Sequence, residues 1–118
     1  MTVFYLHFNE EELNQRILKL TGKGYDVRPH SSTEEAAKWT DYIPDIVVIS
    51  LDRLPSHGRA YADWIWEAKK RQNIPIIFSG GKPGKVEPIL AKFPQAIYCT
   101  TEKLTYTVEK TKAMLQGK

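Results

Sequence analysis

Five short apolar runs divide the chain, and more polar segments separate them. The runs cover residues 2–8, 25–28, 46–51, 74–78 and 96–99. Most of them are rich in β-branched and aromatic residues, which favour strands. The third run is almost wholly apolar and lacks the alternation of a strand that has one wet face. The runs therefore predict five strands, of which the third is a central strand covered on both sides.

The segments between these runs carry helix signals. Asn9 with Glu12 three residues later is a capping pattern, and Ser32-Thr33-Glu34-Glu35 is a capping box. Apolar residues then recur at helical spacing. The predicted helices lie between Asn9 and Gly22, from Ser32 to the Ile43-Pro44 pair, from about Ala60 to Gln72, in a short segment up to Phe93, and from Leu104 to Leu115.

Strict alternation of five strands with five helices predicts one α/β domain over residues 1–118. This order of elements favours a parallel sheet with helices on both faces. Right-handed crossovers leave few topologies for such a sheet. Five strands in a chain of 118 residues fit a flavodoxin-like, doubly wound sheet with the strand order 2-1-3-4-5.

The composition limits the classes of function. The chain is 42% hydrophobic and 26% charged, as in folded globular proteins. No apolar run approaches the roughly 18 residues that span a bilayer. The first run has no basic region before it and is followed at once by acidic residues, unlike the apolar region of a signal peptide. A single cysteine, Cys99, indicates a reducing, cytoplasmic setting. The net charge of +3 is too small to indicate nucleic acid, so we expect neither a membrane nor nucleic acid as partner.

Polar residues that follow the strands form a candidate binding pocket. In doubly wound sheets, ligands bind beyond the carboxyl ends of the strands. Hydroxyls and the backbone N–H groups of a glycine-rich turn near a helix start can bind a phosphate or another small anion. The spacing does not match a P-loop, and a plain turn is the simpler interpretation. The candidate pocket residues are Asn9, Ser50, Asp52, Ser79, Gly80, Gly81, Lys82, Thr100 and Thr101.

The chain resembles the CheY-like receiver domains of two-component response regulators over nearly its full length. PDIVVISLDRLPSHG resembles the receiver strand and loop that carry the phospho-accepting aspartate. NIPIIFSGG resembles the fourth receiver strand, and Tyr98 falls where receivers have a switch aromatic. The resemblance implies the flavodoxin-like fold, a role in signal transduction and a domain that is not itself an enzyme.

Several residues that carry out the phosphoryl chemistry of the family are absent, which indicates a degenerate member, or pseudo-receiver. Receivers hold Mg²⁺ with two acidic residues after the first strand, where this chain has His7, Phe8 and Asn9. Thr101-Glu102 replaces the lysine after the fifth strand. The nearest carboxylates, at residues 10–12, are expected to lie on the helix and point away from the site.

The position of the phospho-acceptor is ambiguous in this sequence. Counting forward from Pro44 places it at Ser50, counting back from Pro55 places it at Leu51, and Asp52 is the nearest carboxylate. A shift of one residue reverses the direction of a strand side chain, so Asp52 can take the acceptor's place only with a compensating bulge. We therefore interpret Asp52 as a structural loop residue and assign no catalytic residue.

Two features indicate a surface for a protein partner. Trp64 and Trp66 lie about 200° apart around a helix, so both cannot face the sheet, and Trp66 is a candidate for an exposed interface residue. Receivers also dock or dimerise through their fourth helix, fifth strand and fifth helix. The resemblance places this surface at residues 86–115, where Lys103 and Val108 are candidate contacts.

Three functions are compatible with these observations. The leading hypothesis is a stand-alone pseudo-receiver that acts by protein–protein interaction, with a homodimer as one form and with no cofactor. The first alternative is a genuine receiver that is phosphorylated at Asp52 with Mg²⁺. The second is a binding protein for a small anionic ligand in the candidate pocket.

Overall fold

The sheet of this protein, seen in a computed structural model that describes residues 1–117, has five parallel strands. The strands are β1 (Thr2–Leu6), β2 (Asp26–His30), β3 (Ile46–Ser50), β4 (Ile76–Ser79) and β5 (Ile97–Cys99). Their order across the sheet is β2-β1-β3-β4-β5. This order confirms the predicted flavodoxin-like topology.

Helices lie on both faces of the sheet. They are α1 (Glu10–Gly22), α2 (Pro55–Glu67), α3 (Pro83–Lys92) and α4 (Leu104–Gln116), and a 3₁₀ turn, Thr101–Lys103, leads into α4. Side chains of α1 and α4 share one core with the sheet, whereas those of α2 and α3 share the other. No helix within residues 1–117 is long and apolar enough to cross a membrane.

The central strand β3 anchors both cores. All five of its residues are buried, as the unbroken apolar run predicts. Because side chains alternate along a strand, Ile46 and Val48 pack under α1 and α4, while Val47 and Ile49 pack under α2 and α3. Full burial of such a side chain contributes about 1.5–3 kcal/mol. The carboxyl end of β3, where Ser50 lies, is therefore held rigidly.

The predicted helix between Ser32 and Ile43 is not formed, and the chain crosses from β2 to β3 as an irregular segment. The capping interaction exists, since the Ser32 hydroxyl accepts hydrogen bonds from the amides of Glu34 and Glu35. However, the Ala37 amide donates to the Tyr61 hydroxyl instead of to a helical carbonyl. A helix this short is marginal without strong packing, and Pro44 disfavours helical geometry at Ile43.

Aromatic packing replaces the missing helix over this part of the sheet. Trp39 lies edge-on to Phe4, with ring centroids 5.2 Å apart, and lies 5.1 Å from Trp64. Tyr61 packs edge-on against Trp64 at 6.3 Å. The side chains of the irregular segment thus cover the sheet without the backbone forming a helix.

Two of the three candidate interface residues are not exposed as predicted. The ring of Trp66 is partly buried and lies edge-on to Phe93, and its Nε1–H donates to the Ile74 carbonyl at 2.8 Å. Val108 is fully buried, because the apolar side of α4 faces the sheet. Lys103, by contrast, is exposed at the end of the 3₁₀ turn.

Candidate functional site

The carboxyl end of β3 places Ser50 and Asp52 on the same side of the sheet. Ser50 is the last residue of the strand and is fully buried. Asp52 follows two residues later, and its amide donates to the Ser50 hydroxyl at 3.3 Å. Leu54 takes a left-handed backbone conformation with φ of 46°, which is uncommon for a residue other than glycine. Leu54 is the residue directly before the helix that begins at Pro55.

Three donors from three separate segments bind the carboxylate of Asp52. Its Oδ2 accepts hydrogen bonds from Arg16 Nη1 at 2.9 Å and from the Thr101 hydroxyl at 3.1 Å. Its Oδ1 accepts one from the Gly81 amide at 2.8 Å. Arg16 Nη1 also donates to the Ser50 hydroxyl at 3.3 Å. The carboxylate therefore connects α1, the loop after β4 and the turn after β5.

The surroundings of Asp52 favour its charged form. Burial alone would raise the pKa of this carboxyl, but the Gly81 amide and the Arg16 guanidinium outweigh burial and hold the pKa below its ordinary value. Charge-assisted hydrogen bonds of this kind are stronger than neutral ones. Asp52 is thus ionised and bound to its partners at neutral pH.

Two consecutive glycines let the loop after β4 approach Asp52. Gly80 and Gly81 have φ values of +71° and +86°, in the left-handed region that glycine adopts without steric cost. A Cβ atom at Gly80 would lie 2.5 Å from Asp52 Oδ1, and one at Gly81 would lie 2.8 Å from the Leu51 Cβ. The glycine-rich turn, for which the sequence left an anion-binding role open beside the simpler interpretation as a plain turn, thus binds a carboxylate of the protein itself through the Gly81 amide.

A second polar network lies beside the first, at the start of α1. The Asn9 side chain accepts a hydrogen bond from the Glu12 amide at 3.0 Å, as the capping pattern predicts. The Glu12 carboxylate contacts His7 Nε2 at 2.7 Å and also binds Arg53. The expectation that Glu12 points away from the site is therefore wrong, because His7 and Arg53 draw its side chain back over the end of the sheet.

The network shifts the pKa values of Glu12 and His7. Hydrogen bonds from Arg53, and then from His7, lower the pKa of Glu12 to about 2. Burial lowers the pKa of His7, although the hydrogen bond with Glu12 opposes that change. His7 is fully buried, and its Nδ1 has no hydrogen-bond partner within residues 1–117.

The other predicted pocket residues do not contact the Asp52 carboxylate through their side chains. Ser79 is fully buried, and its hydroxyl has no partner in the described part of the chain. Lys82 and Thr100 are exposed, and Asn9 is engaged in the cap of α1. The structure thus brings Ser50, Asp52, Gly81 and Thr101 together through hydrogen bonds.

Tyr98 reaches the site from β5. Its hydroxyl donates to the Gly80 carbonyl at 2.8 Å, and burial raises its pKa. About 38% of the side chain remains exposed. The aromatic that the resemblance assigns as a switch residue is therefore bonded directly to the loop that holds Asp52.

Arg16 is the residue of this site that sequence reasoning missed. It is separated from Asp52 by 36 positions, so no local motif connects the two. The helix pattern contains a weaker signal. Arg16 follows Leu13 by three residues, which places it about 60° from the buried side of α1, on the flank that also carries Glu12.

The residues at this edge do not fit a magnesium site of the receiver type. Within residues 1–117, no group of three acidic, histidine or cysteine residues is placed to hold a metal ion. The two nearest carboxylates, Asp52 and Glu12, are each bound to an arginine. The positive charge beside Asp52 comes from the guanidinium of Arg16.

Comparisons with known proteins give a structural match and no sequence match. No protein-family model and no curated protein matches the chain. Nine chains among the solved structures do match. One is described as a “putative response regulator from Chloroflexus aurantiacus J-10-fl”; it has a TM-score of 0.73 and 21% sequence identity, and the match covers 92% of this chain and 94% of that chain. The chain is therefore similar to that protein in fold.

Proposed function

We propose that this protein is a degenerate receiver-like domain that acts in signal transduction by protein–protein interaction, without phosphoryl chemistry of its own. The observation that carries the proposal is the occupied carboxylate of Asp52. Both of its oxygens already accept hydrogen bonds, from Arg16, Gly81 and Thr101. The donors that a phosphoryl group would need at this place are therefore already bonded to the aspartate itself.

The chemistry of phosphoryl transfer supports the same conclusion. Transfer to an aspartate needs a free carboxylate oxygen in line with phosphorus, and cations that neutralise the negative charge of the phosphoryl oxygens. Here the only cationic side chain bonded to Asp52 within residues 1–117 is Arg16. At the end of β5, Thr101 donates a neutral hydroxyl where the receiver resemblance leads one to expect a lysine.

The outer face of α4 is the surface that we assign to the partner. Tyr106, Lys110 and Met114 follow one another at spacings of four residues, so they share one side of the helix. About 65% of Tyr106 and 57% of Met114 is exposed. Aromatic and methionine side chains are enriched at protein interfaces. This face replaces Trp66 and Val108 as the candidate contact, and a second copy of the chain is the simplest partner.

A magnesium and beryllofluoride titration tests the absence of phosphoryl chemistry. Beryllofluoride mimics an aspartyl phosphate, so amide NMR spectra should stay unchanged when magnesium and then beryllofluoride are added. A phosphorylatable receiver treated in the same way serves as the positive control. Shifts at Asp52, Ser79 and Thr101 that disappear in Asp52→Ala would establish phospho-signalling instead.

Sedimentation at several protein concentrations tests the α4 surface. We expect self-association that Tyr106→Ser weakens. Leu18→Ser is the matched control, because Leu18 is a similarly exposed apolar residue on α1. A chain that stays monomeric at every concentration, or that responds equally to both substitutions, would rule out a homodimer through this face.

A further inference from the structure

A cavity between α1 and α4 lies beside Asp52 and shares Arg16 and Thr101 with its surroundings. Its volume is about 200 Å³. The residues that matter in its lining are Arg16 and Lys19 of α1, Thr101 and Thr105 at the start of α4, and Tyr5 of β1. Pockets for drug-sized ligands measure about 300–1,000 Å³. A cavity of this smaller size suits a ligand of a few heavy atoms.

The charged groups in this lining are all positive. Arg16 and Lys19 contribute two cationic side chains, and no carboxylate lines the cavity. Arg16 uses only its Nη1 for Asp52 and Ser50 among the described residues. A guanidinium has five N–H donors in a fork that matches an oxyanion. Arg16 can therefore bind an anion in the cavity while it keeps its bond to Asp52.

A buried and unpartnered hydroxyl provides the second, independent indication of a ligand. Tyr5 is fully buried, and its hydroxyl forms no hydrogen bond of ordinary length within residues 1–117, although the Arg16 guanidinium lies near enough to interact with it. Buried polar groups nearly always have a partner, so such an exception needs an explanation. Burial raises the pKa of this phenol, although Arg16 opposes the rise, so the hydroxyl keeps its proton and remains a donor.

We propose that the cavity binds a small tetrahedral oxyanion, either inorganic phosphate or the phosphate group of a small phosphomonoester, through Arg16, Lys19 and the Tyr5 hydroxyl. Hydroxyl and cationic donors together are the groups that bind phosphate in proteins. The inference goes beyond the proposed function and does not depend on it. Since Arg16 and Thr101 also bind Asp52, the anion would be linked directly to the receiver-like site.

A titration with potassium phosphate, followed by amide NMR at constant ionic strength, tests this site. We expect saturable shifts at Arg16, Lys19, Thr101 and Thr105. Lys19→Gln should weaken binding about fivefold, as expected for the loss of one partly exposed charge. Lys70→Gln removes the same charge beyond α2, on the opposite face of the sheet, and should leave the affinity unchanged.

Tyr5→Phe tests the hydroxyl separately. The substitution removes an unpartnered group and keeps the ring, so the protein should remain folded and bind phosphate about fivefold more weakly. Methyl phosphate identifies the source of the anion. Equal affinity for methyl phosphate indicates a phosphomonoester, and much weaker binding indicates inorganic phosphate; both results support the site.

Three results would overturn the proposal. The first is a spectrum without saturable shifts at millimolar phosphate. The second is an equal effect of Lys19→Gln and Lys70→Gln, which would indicate unspecific attraction. The third is a set of shifts at Lys82 and Lys85, because those residues line a different cavity, beside Pro55 and Gly81. The two proposals fail separately, because shifts at Asp52 and Ser79 that disappear in Asp52→Ala report phosphoryl chemistry, whereas shifts at Lys19 and Thr105 report the cavity.

Discussion

Arg16 Nη1 lies 2.9 Å from Asp52 Oδ2, and this pair joins the middle of α1 to the loop that follows β3. Both side chains are partly buried, so solvent screens their attraction less than it screens a fully exposed pair. Arg16 is also the only cationic side chain that is bonded to Asp52 among residues 1–117.

The first prediction concerns the strength of this pair. A double-mutant cycle with Arg16→Gln and Asp52→Asn should give a coupling of about 1 kcal/mol in the free energy of unfolding. Urea denaturation at neutral pH measures it. The more exposed pair of Arg28 and Asp26 is the control and should show no measurable coupling. A cycle without coupling at Arg16 and Asp52 would contradict the importance that we give to their contact.

The second prediction concerns the glycine that faces Asp52. Gly80→Ala should destabilise the protein by about 1–3 kcal/mol, because a left-handed backbone is strained for alanine and the new Cβ meets the carboxylate. Gly84→Ala is the control, since a Cβ there has no neighbour within 4 Å. Alanine in a helix is favoured over glycine by up to about 1 kcal/mol, so Gly84→Ala should be neutral or stabilising. Thermal denaturation of both variants compares them directly.

The third prediction concerns acid stability at Glu12. The pKa of Glu12 in the folded protein is about 2, compared with an ordinary value of 4.5. Its contribution is therefore present above pH 4.5 and is lost as the pH falls towards 2. Glu12→Gln should flatten the dependence of the unfolding free energy on pH in this range. Glu11→Gln, at an exposed neighbouring position, should leave the slope unchanged.

The fourth prediction concerns the buried histidine. Burial holds the pKa of His7 below its ordinary value of 6.5. The unfolded chain therefore binds the proton first, and this residue reduces stability as the pH falls below 6.5. NMR titration of the ring should show the lowered pKa. Glu12→Gln should lower it further, because the variant removes the negative charge that opposes the shift and weakens the hydrogen bond. A His7 that titrates above 6.5 would contradict the burial argument.

The fifth prediction concerns the irregular segment between β2 and β3. Hydrogen exchange should be faster there than in the helices, since few of its amides have backbone partners. Ala37 should be an exception, because its amide donates to the Tyr61 hydroxyl at 3.1 Å. Tyr61→Phe should raise the exchange rate of Ala37 about fivefold. Equal rates in the two proteins would indicate that something else protects this amide.

The elements that the sequence predicts well are those whose signal is local and repeated. The apolar run at residues 46–51 identified the central strand, and Asn9 identified the start of α1. Ser32 shows where a local signal is insufficient. Its hydroxyl accepts hydrogen bonds from the two amides as predicted, but no helix forms. Trp39 packs on Phe4 and the Tyr61 hydroxyl binds the Ala37 amide, so contacts with other parts of the fold determine this segment.

The candidate site was predictable in its location and not in its chemistry. The topology places Ser50, Gly81 and Thr101 at one edge, as expected from the order of the strands. That Asp52 fills this site, and that Arg16 supplies the charge, depends on contacts between residues 29 to 49 positions apart. Local spacing places Arg16 on one flank of α1, but it does not show that this flank meets Asp52.

The position of Arg16 has a consequence for how the proposed signalling would be controlled. A chelator cannot remove a cation that belongs to the chain. A carboxylate that carries no phosphoryl group is not a substrate for a phosphatase. Under the proposed function, no covalent modification of Asp52 records a past stimulus. The strength of its output then depends on how many copies of the domain are present and on whether the proposed anion occupies the cavity beside Arg16.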